Sequence, residues 1–202
     1  MAQKNERVTI GPGYAVFPAL KVPDTKFDEL GQYKADISIP LKEAEPVMKK
    51  LSDAFKAHTG KAPSKSVNTM WYMEEDRDTG EETGNVVFKC RVKNKRRKSD
   101  GQIWDRRPKL FDAALKPVDV SPWGGSQYIV NAEVYCWDAG GKKGVSLQPV
   151  GVQLIKLIEG GGEDPEDMGF AKRDDGFVAD EDASEGFASH TPDDTEDDDG
   201  DF

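Results

Sequence analysis

Seven of the ten side chains from Lys89 to Lys98 are basic and none is acidic. Lys89, Arg91 and Lys93 alternate as on one face of a strand. Lys95, Arg96, Arg97 and Lys98 crowd a loop closed by Ser99-Asp100-Gly101, and Trp104, Arg106, Arg107 and Lys109 follow on the return. Solvated charged faces usually mix signs, so an unmixed run with an aromatic inside it points to a polyanion. A second feature lies at 126–138, where alternate residues Gln127, Ile129, Asn131, Glu133, Tyr135 and Trp137 face outward. Tyr135 and Trp137 among polar neighbours are what a base-stacking platform would offer; the alternative is burial beneath a loop or a second subunit. Trp71-Tyr72, ahead of the acidic stretch Glu74 to Glu82, is a further platform or a lid on the core.

For catalysis the residue types offer little. The two histidines, His58 and His190, and the two cysteines, Cys90 and Cys136, form no CxxC or HExxH spacing. Neither a disulfide framework nor a metal site is expected, and free thiols suit a reducing cytosol. There is no phosphate-cradling glycine loop and no GxSxG elbow. Carboxylates between Glu74 and Glu82 lack apolar neighbours to fix them around magnesium, so a nuclease ranks last. No enzyme and no cofactor are expected. The polar start, MAQKNERVTI, does not read as a secretory signal, and the apolar stretch Val150 to Ile158 is too short for a membrane span.

Strands must position these groups. Tyr33, Ala35, Ile37, Ile39 and Leu41 alternate with Lys34, Asp36 and Ser38, and Phe88, Cys90 and Val92 alternate with Lys89, Arg91 and Lys93. Tyr128, Val130, Ala132, Val134 and Cys136 form the inward face at 126–138. Val145 to Ile158, apolar on both faces past Pro149, fits a central strand or a subunit contact. Arg7 to Ile10 and Tyr14 to Leu20 read as two strands separated by Gly11-Pro12-Gly13. One helix is expected around Val47, Met48, Leu51, Ala54, Phe55 and His58, with Pro46 in its first turn and Gly60 past its end. His58 reads as a packing or C-terminal capping residue. Five or six strands with one helix predict a small barrel or sandwich in a mainly β domain spanning 1–158.

The net charge of −10 over 202 residues hides a division. Residues 1–158 carry 26 basic and 20 acidic side chains, whereas 159–202 carry 18 acids and only Lys172 and Arg173. So acidic a segment, with few apolar residues, cannot offset the entropy of ordering, and 159–202 is expected to be a disordered tail beyond the hinge Gly160-Gly161-Gly162. Gly-Phe pairs recur at Phe170, Phe177 and Phe187, and Phe202 follows Asp197-Asp198-Asp199-Gly200-Asp201. A ring beside a terminal carboxylate reads as a docking peptide for a basic, pocketed partner. Tethered acids also compete intramolecularly for the basic surface, at roughly millimolar effective concentration.

Collinear matches carry a resemblance. They run Lys21-Val22-Pro23-Asp24; Gly31-Gln32-Tyr33-Lys34-Ala35-Asp36-Ile37-Ser38-Ile39-Pro40; Phe88-Lys89-Cys90; Tyr135-Cys136-Trp137; and Val145-Ser146-Leu147-Gln148. Gly160-Gly161-Gly162-Glu163-Asp164, Gly176-Phe177-Val178-Ala179 and Asp199-Gly200-Asp201-Phe202 complete the series. The chain resembles the single-stranded DNA-binding, helix-destabilising proteins of T-seven-like bacteriophages. The helix region and the 61–84 loop are shorter than the family pattern, and Lys95 to Lys98 matches only in its basic character.

That resemblance implies an OB-fold core, a homodimer, and sequence-independent coating and annealing of single strands in phage DNA replication, recombination and repair. It implies a location in the cytoplasm of an infected bacterial host. It also implies a tail that contacts the phage DNA polymerase and helicase-primase through acids such as Asp197, Asp198, Asp199 and Asp201 and the terminal Phe202. Lys34, Lys89, Tyr135 and Trp137 match the family's strand-lining segments. The competing reading, an acidic DNA mimic that inhibits a host DNA-processing protein, has no use for a basic hairpin.

Overall fold

The computed structural model describes residues 6–27, 29–64, 70–97, 103–159 and Ala171. The chain divides into two units, Met1–Gly162 and Glu163–Phe202. Apart from Glu159 and Ala171, the expected tail, with Asp197, Asp198, Asp199, Asp201 and Phe202, lies outside the described residues.

Alternation of apolar and polar residues builds most of the first unit. In chain order come β1 (Arg7–Ala15), β2 (Ala19–Asp24), β3 (Gln32–Lys34), β4 (Ile37–Pro40), α1 (Leu41–Thr59), β5 (Trp71–Glu75), β6 (Glu82–Phe88) and β7 (Arg91–Lys93). Then follow β8 (Lys95–Arg97), β9 (Ile103–Asp105), β10 (Lys109–Phe111), β11 (Gln127–Ala139) and β12 (Lys142–Lys156). A seven-stranded sheet runs β10-β12-β11-β1-β4-β6-β5, a three-stranded sheet β2-β3-β7, and β8 pairs with β9 alone.

Two expected strands are bent across both sheets. The chain passes from β3 to β4 through Ala35-Asp36, and from β6 to β7 through Lys89-Cys90. These corners face each other: Ala35 N–H donates to the Cys90 carbonyl at 2.8 Å, and Cys90 N–H donates to the Asp36 carboxylate at 3.0 Å. Cys90 also bridges Leu147 of β12 in parallel fashion. β1, β3/β4 and β6/β7 thus curl back toward β12 and β11, meeting β12 through that isolated bridge without the sheets closing. This is a partly open, OB-fold-like barrel with one helix.

Ile10, Ile37, Val86, Phe88, Tyr128, Val130 and Leu147 fill the interior. Tyr128 donates its hydroxyl to the Asp36 carbonyl at 2.6 Å. The helix packs Leu51, Phe55 and Ala44 against this core, touching β1, β4, β6, β11 and β12.

Several expectations need correction. β1 is one strand rather than two, with a register shift between Ile10 and Gly13 absorbing Gly11-Pro12. Only glycine fits at 13, because a Cβ there would come within 2.4 Å of Ile39 and 2.5 Å of the Ser38 carbonyl oxygen. The helix begins at Leu41, so Pro46 lies inside it and Leu41 is on its exposed first turn rather than on a strand face. Gly60 ends it in a left-handed conformation, donating its N–H to Lys56 at 2.9 Å. Asp36 and Ser38 are buried, not outward: the Cys90 N–H and Arg91 meet the Asp36 carboxylate, and the Ser38 hydroxyl donates to Glu74. Cys136 is exposed because it lies where β11 runs out beyond the covered part of the sheet. Trp71-Tyr72 and Glu74 belong to the β5–β6 hairpin, not to a loop. β12 lies between β10 and β11, and Pro149 sits at a register irregularity that tolerates its missing N–H.

Candidate nucleic-acid interface

Register brings the basic run and the platform strand to one surface. β7 places Arg91 opposite Lys34 and Lys93 opposite Gln32, while Tyr33 and Val92 pair with their side chains buried. Across the junction, β11 and β12 pair Tyr135 with Ser146 and Glu133 with Gln148. Arg91, Lys93, Arg106 and Tyr135 line one groove of about 330 Å³, whose polar floor includes Gln32, Ser146 and Gln148. The groove thus spans the seam where the two sheets meet.

The basic arm is attached at this seam. β8 and β9 pair Lys95 with Asp105, Arg96 with Trp104 and Arg97 with Ile103. Asn94 at its base donates N–H to Gly31 and its side-chain amide to Leu30, both at 2.9 Å, and accepts from Arg106 N–H at 2.9 Å. The residues entering and leaving the arm, Lys93 and Arg106, both line the groove. Lys98 lies outside the described residues.

The cations differ in what they hold. Arg91 donates Nε at 3.0 Å and Nη2 at 2.5 Å to the buried Asp36 carboxylate. Burial pushes the Asp36 carboxyl up against the opposing pull of Arg91, and the same contact raises the Arg91 guanidinium. Lys34 is ion-paired with Asp24, holding that carboxyl below its usual range. Arg106 donates to Gln148 inside the groove. Lys89 sits with Nζ 5.1 Å from the centre of the Tyr72 ring.

Not every basic residue of the sequence run reaches the groove. Arg107 donates to Asp119 at 2.5 Å and to the Leu20 carbonyl at 3.2 Å, tying β2 to the segment after β10. Lys109 is exposed on β10, the edge strand of the large sheet, pairing with Gly151. With Arg107 it lines a separate cavity.

Trp137 is half-buried for a local reason. Its cross-strand partner is Gly144, and a Cβ at 144 would fall 2.2 Å from the indole. The ring therefore lies across the glycine backbone, a close approach that only glycine permits. His58 reaches from the helix to the Trp137 carbonyl and to Asp138, each at 3.2 Å, so it joins α1 to β11 rather than capping its own helix. Gln32, Ser146 and Gln148 were not singled out from residue types. Their signal in the sequence was membership of the blocks that carry the resemblance, on strands flanking the basic and aromatic runs. A groove of this composition can neutralise phosphates while a planar ring stacks beside them.

No family model matches the chain, and comparison with curated protein sequences finds no match. Solved structures do match. The gp2.5 single-stranded DNA-binding protein encoded by bacteriophage T7 superposes with a TM-score of 0.60 at 22% identity, over 88% of this chain and all of that one. The C-terminally truncated single-stranded DNA-binding protein of bacteriophage Enc34 gives 0.57 at 12% identity, over 76% of this chain and 87% of that one. The single-stranded DNA-binding protein from bacteriophage Enc34 in complex with single-stranded DNA gives 0.54 at 16% identity, covering 77% of this chain and 89% of that one. The chain has the fold of these phage proteins. The OB-fold-like architecture that the sequence resemblance implies is the one this chain adopts. Among the described residues no group of metal-ligating side chains occurs, and no helix is long and apolar enough to cross a membrane.

Proposed function

We propose that this chain is a sequence-independent single-stranded DNA-binding protein of phage replication and recombination, and not an enzyme. The convergence of Arg91, Lys93, Arg106 and Tyr135 on one groove, with the basic arm rooted at its edge, carries the reading. The fold shared with phage single-stranded DNA-binding proteins supports it. Phosphates would be neutralised by Lys93, Arg106 and the arm, and bases would stack on Tyr135 and Trp137. The acidic tail would compete for the groove until DNA displaces it, then recruit the polymerase and helicase-primase. A homodimer in the cytoplasm of the infected host completes the reading.

Fluorescence anisotropy with labelled oligo-dT across a salt series tests it. With about four phosphates contacted, log K should fall against log salt with a slope of about −3. Tyr135→Ala should weaken binding by about 1–3 kcal/mol with that slope unchanged. Lys93→Ala should make the slope shallower by about 0.7. No binding at any salt would sink the proposal and favour the acidic-mimic alternative.

A further inference from the structure

The connection between β1 and β2 contains an oddity. Phe17 is a bulky residue held at φ 46°, and its side chain is 67% exposed. A non-glycine residue there costs free energy, and solvating a benzyl group adds nothing to offset it. The ring is not unattended: the Arg77 guanidinium carbon lies 4.7 Å from its centre. Arg77 comes from the β5–β6 turn, remote in sequence from the groove residues.

Tyr72 repeats the arrangement on β5. It is 41% exposed, and Lys89 lies over its ring. Burial and the Asp36 and Glu74 carboxylates push its phenol up, against the opposing pull of Arg91 and Arg77. Shared neighbours thus link the pairs: Arg91 belongs to the groove and to the surroundings of Tyr72, and Arg77 to the surroundings of Tyr72 and of Phe17. Beyond Phe17 the surface opens into a hollow of about 310 Å³ walled by Phe17, Leu20, Val22 and Trp123, the last 48% exposed.

Nearby acids are largely occupied. Glu74 accepts from Ser38, Thr83 and Asn85, each at 3.0 Å, and Asp76 accepts from the backbone of Asp78 and Thr79. Asp78, Glu81 and Glu82 remain exposed about the turn, which would exclude phosphates from the tip and confine them to the ring side. Aromatic rings paired with cations, at intervals along a surface continuous with a basic groove, match the stacking and charge pattern of a single strand. A stray apolar patch would have no reason to place a cation on both Phe17 and Tyr72.

We propose that a single strand leaving the groove past Arg91 continues over Tyr72 and Phe17 toward Trp123, so that this ridge is a second segment of the DNA track. The inference rests on the reading of the groove as a single-strand site. The test uses the full chain and two oligo-dT probes, of about 4 and about 16 nucleotides, spanning the site sizes of OB folds. Tyr72→Ala and Phe17→Ala should each weaken binding of the long probe by about five- to a hundred-fold and leave the short probe unchanged. Tyr72→Phe, which keeps the ring, should restore long-probe affinity. Equal losses on both probes, no loss on either, or tighter binding from vacating the ridge would each overturn the proposal. Tyr135→Ala separates the two readings. If it weakens both probes while the ridge variants do nothing, the ridge fails and the groove stands; if no variant matters on either probe, the groove reading fails as well.

Discussion

Arg91 is the residue at which stability and binding are hardest to separate. Its guanidinium lines the groove, yet it also satisfies a carboxylate that is only 3% exposed. Arg91→Ala leaves Asp36 buried with the Cys90 N–H still donating to it at 3.0 Å, and should cost about 1–3 kcal/mol, read as a lower urea midpoint. Arg91→Ala, Asp36→Asn should recover part of that loss, because a neutral amide tolerates burial better than an unpaired carboxylate. Arg91 is the cation that hydrogen-bonds this buried acid, so Lys93→Ala should alter the salt slope and move the midpoint less than Arg91→Ala does. A charge count over Lys89 to Lys98 could not distinguish these two roles, since the separation depends on which cation meets Asp36.

At the scale of elements, the β5–β6 hairpin and the β11–β12 ribbon each hold a testable detail. Hydrogen bonds from Thr79 and Asp78 hold the Asp76 carboxyl below its ordinary value near 3.8. Its contribution is therefore complete above the unfolded value and lost as pH falls through the lower folded one. Asp76→Ala should flatten the acid limb of the stability curve below about pH 4, with the neutral region lowered, as chemical denaturation over a pH series would read. In the ribbon, Gly144→Ala drives a methyl into the Trp137 ring and should shift indole fluorescence; a spectrum identical to that of the unaltered protein would contradict the close packing. Alternation revealed both ribbon strands, and Trp137 was legible as an outward residue. That its ring lies over a glycine was not, because cross-strand register is set by the turn and the bulges, not by either strand alone.

For the whole molecule the decisive quantity is the opposition between +6 on residues 1–158 and −16 on 159–202. A chain ending at Ile158 retains every described strand and the helix. It should bind oligo-dT more tightly than the full chain, by a margin that shrinks as salt screens both the tail and the DNA. Equal affinities at low salt would remove the competition from the proposal without touching the groove.

Local chemistry by itself determined the mainly β character, the helix stop at Gly60, the basic run, the outward Tyr135 and the acidic terminal segment. Each follows from neighbours within a turn or a strand, where side-chain period and charge act directly. Tertiary structure decided which of those residues meet. The bends at Asp36 and Cys90 fold two continuous alternating runs across two sheets and bury an acid that the pattern had placed in solvent. The same closure carries Arg106 into the groove and leaves Arg107, its immediate neighbour, tied to Asp119 and Leu20 elsewhere. Adjacent side chains on an extended chain point to opposite sides, so a cluster that is continuous in sequence is divided by the fold, and its partners are recruited from strands far along the chain.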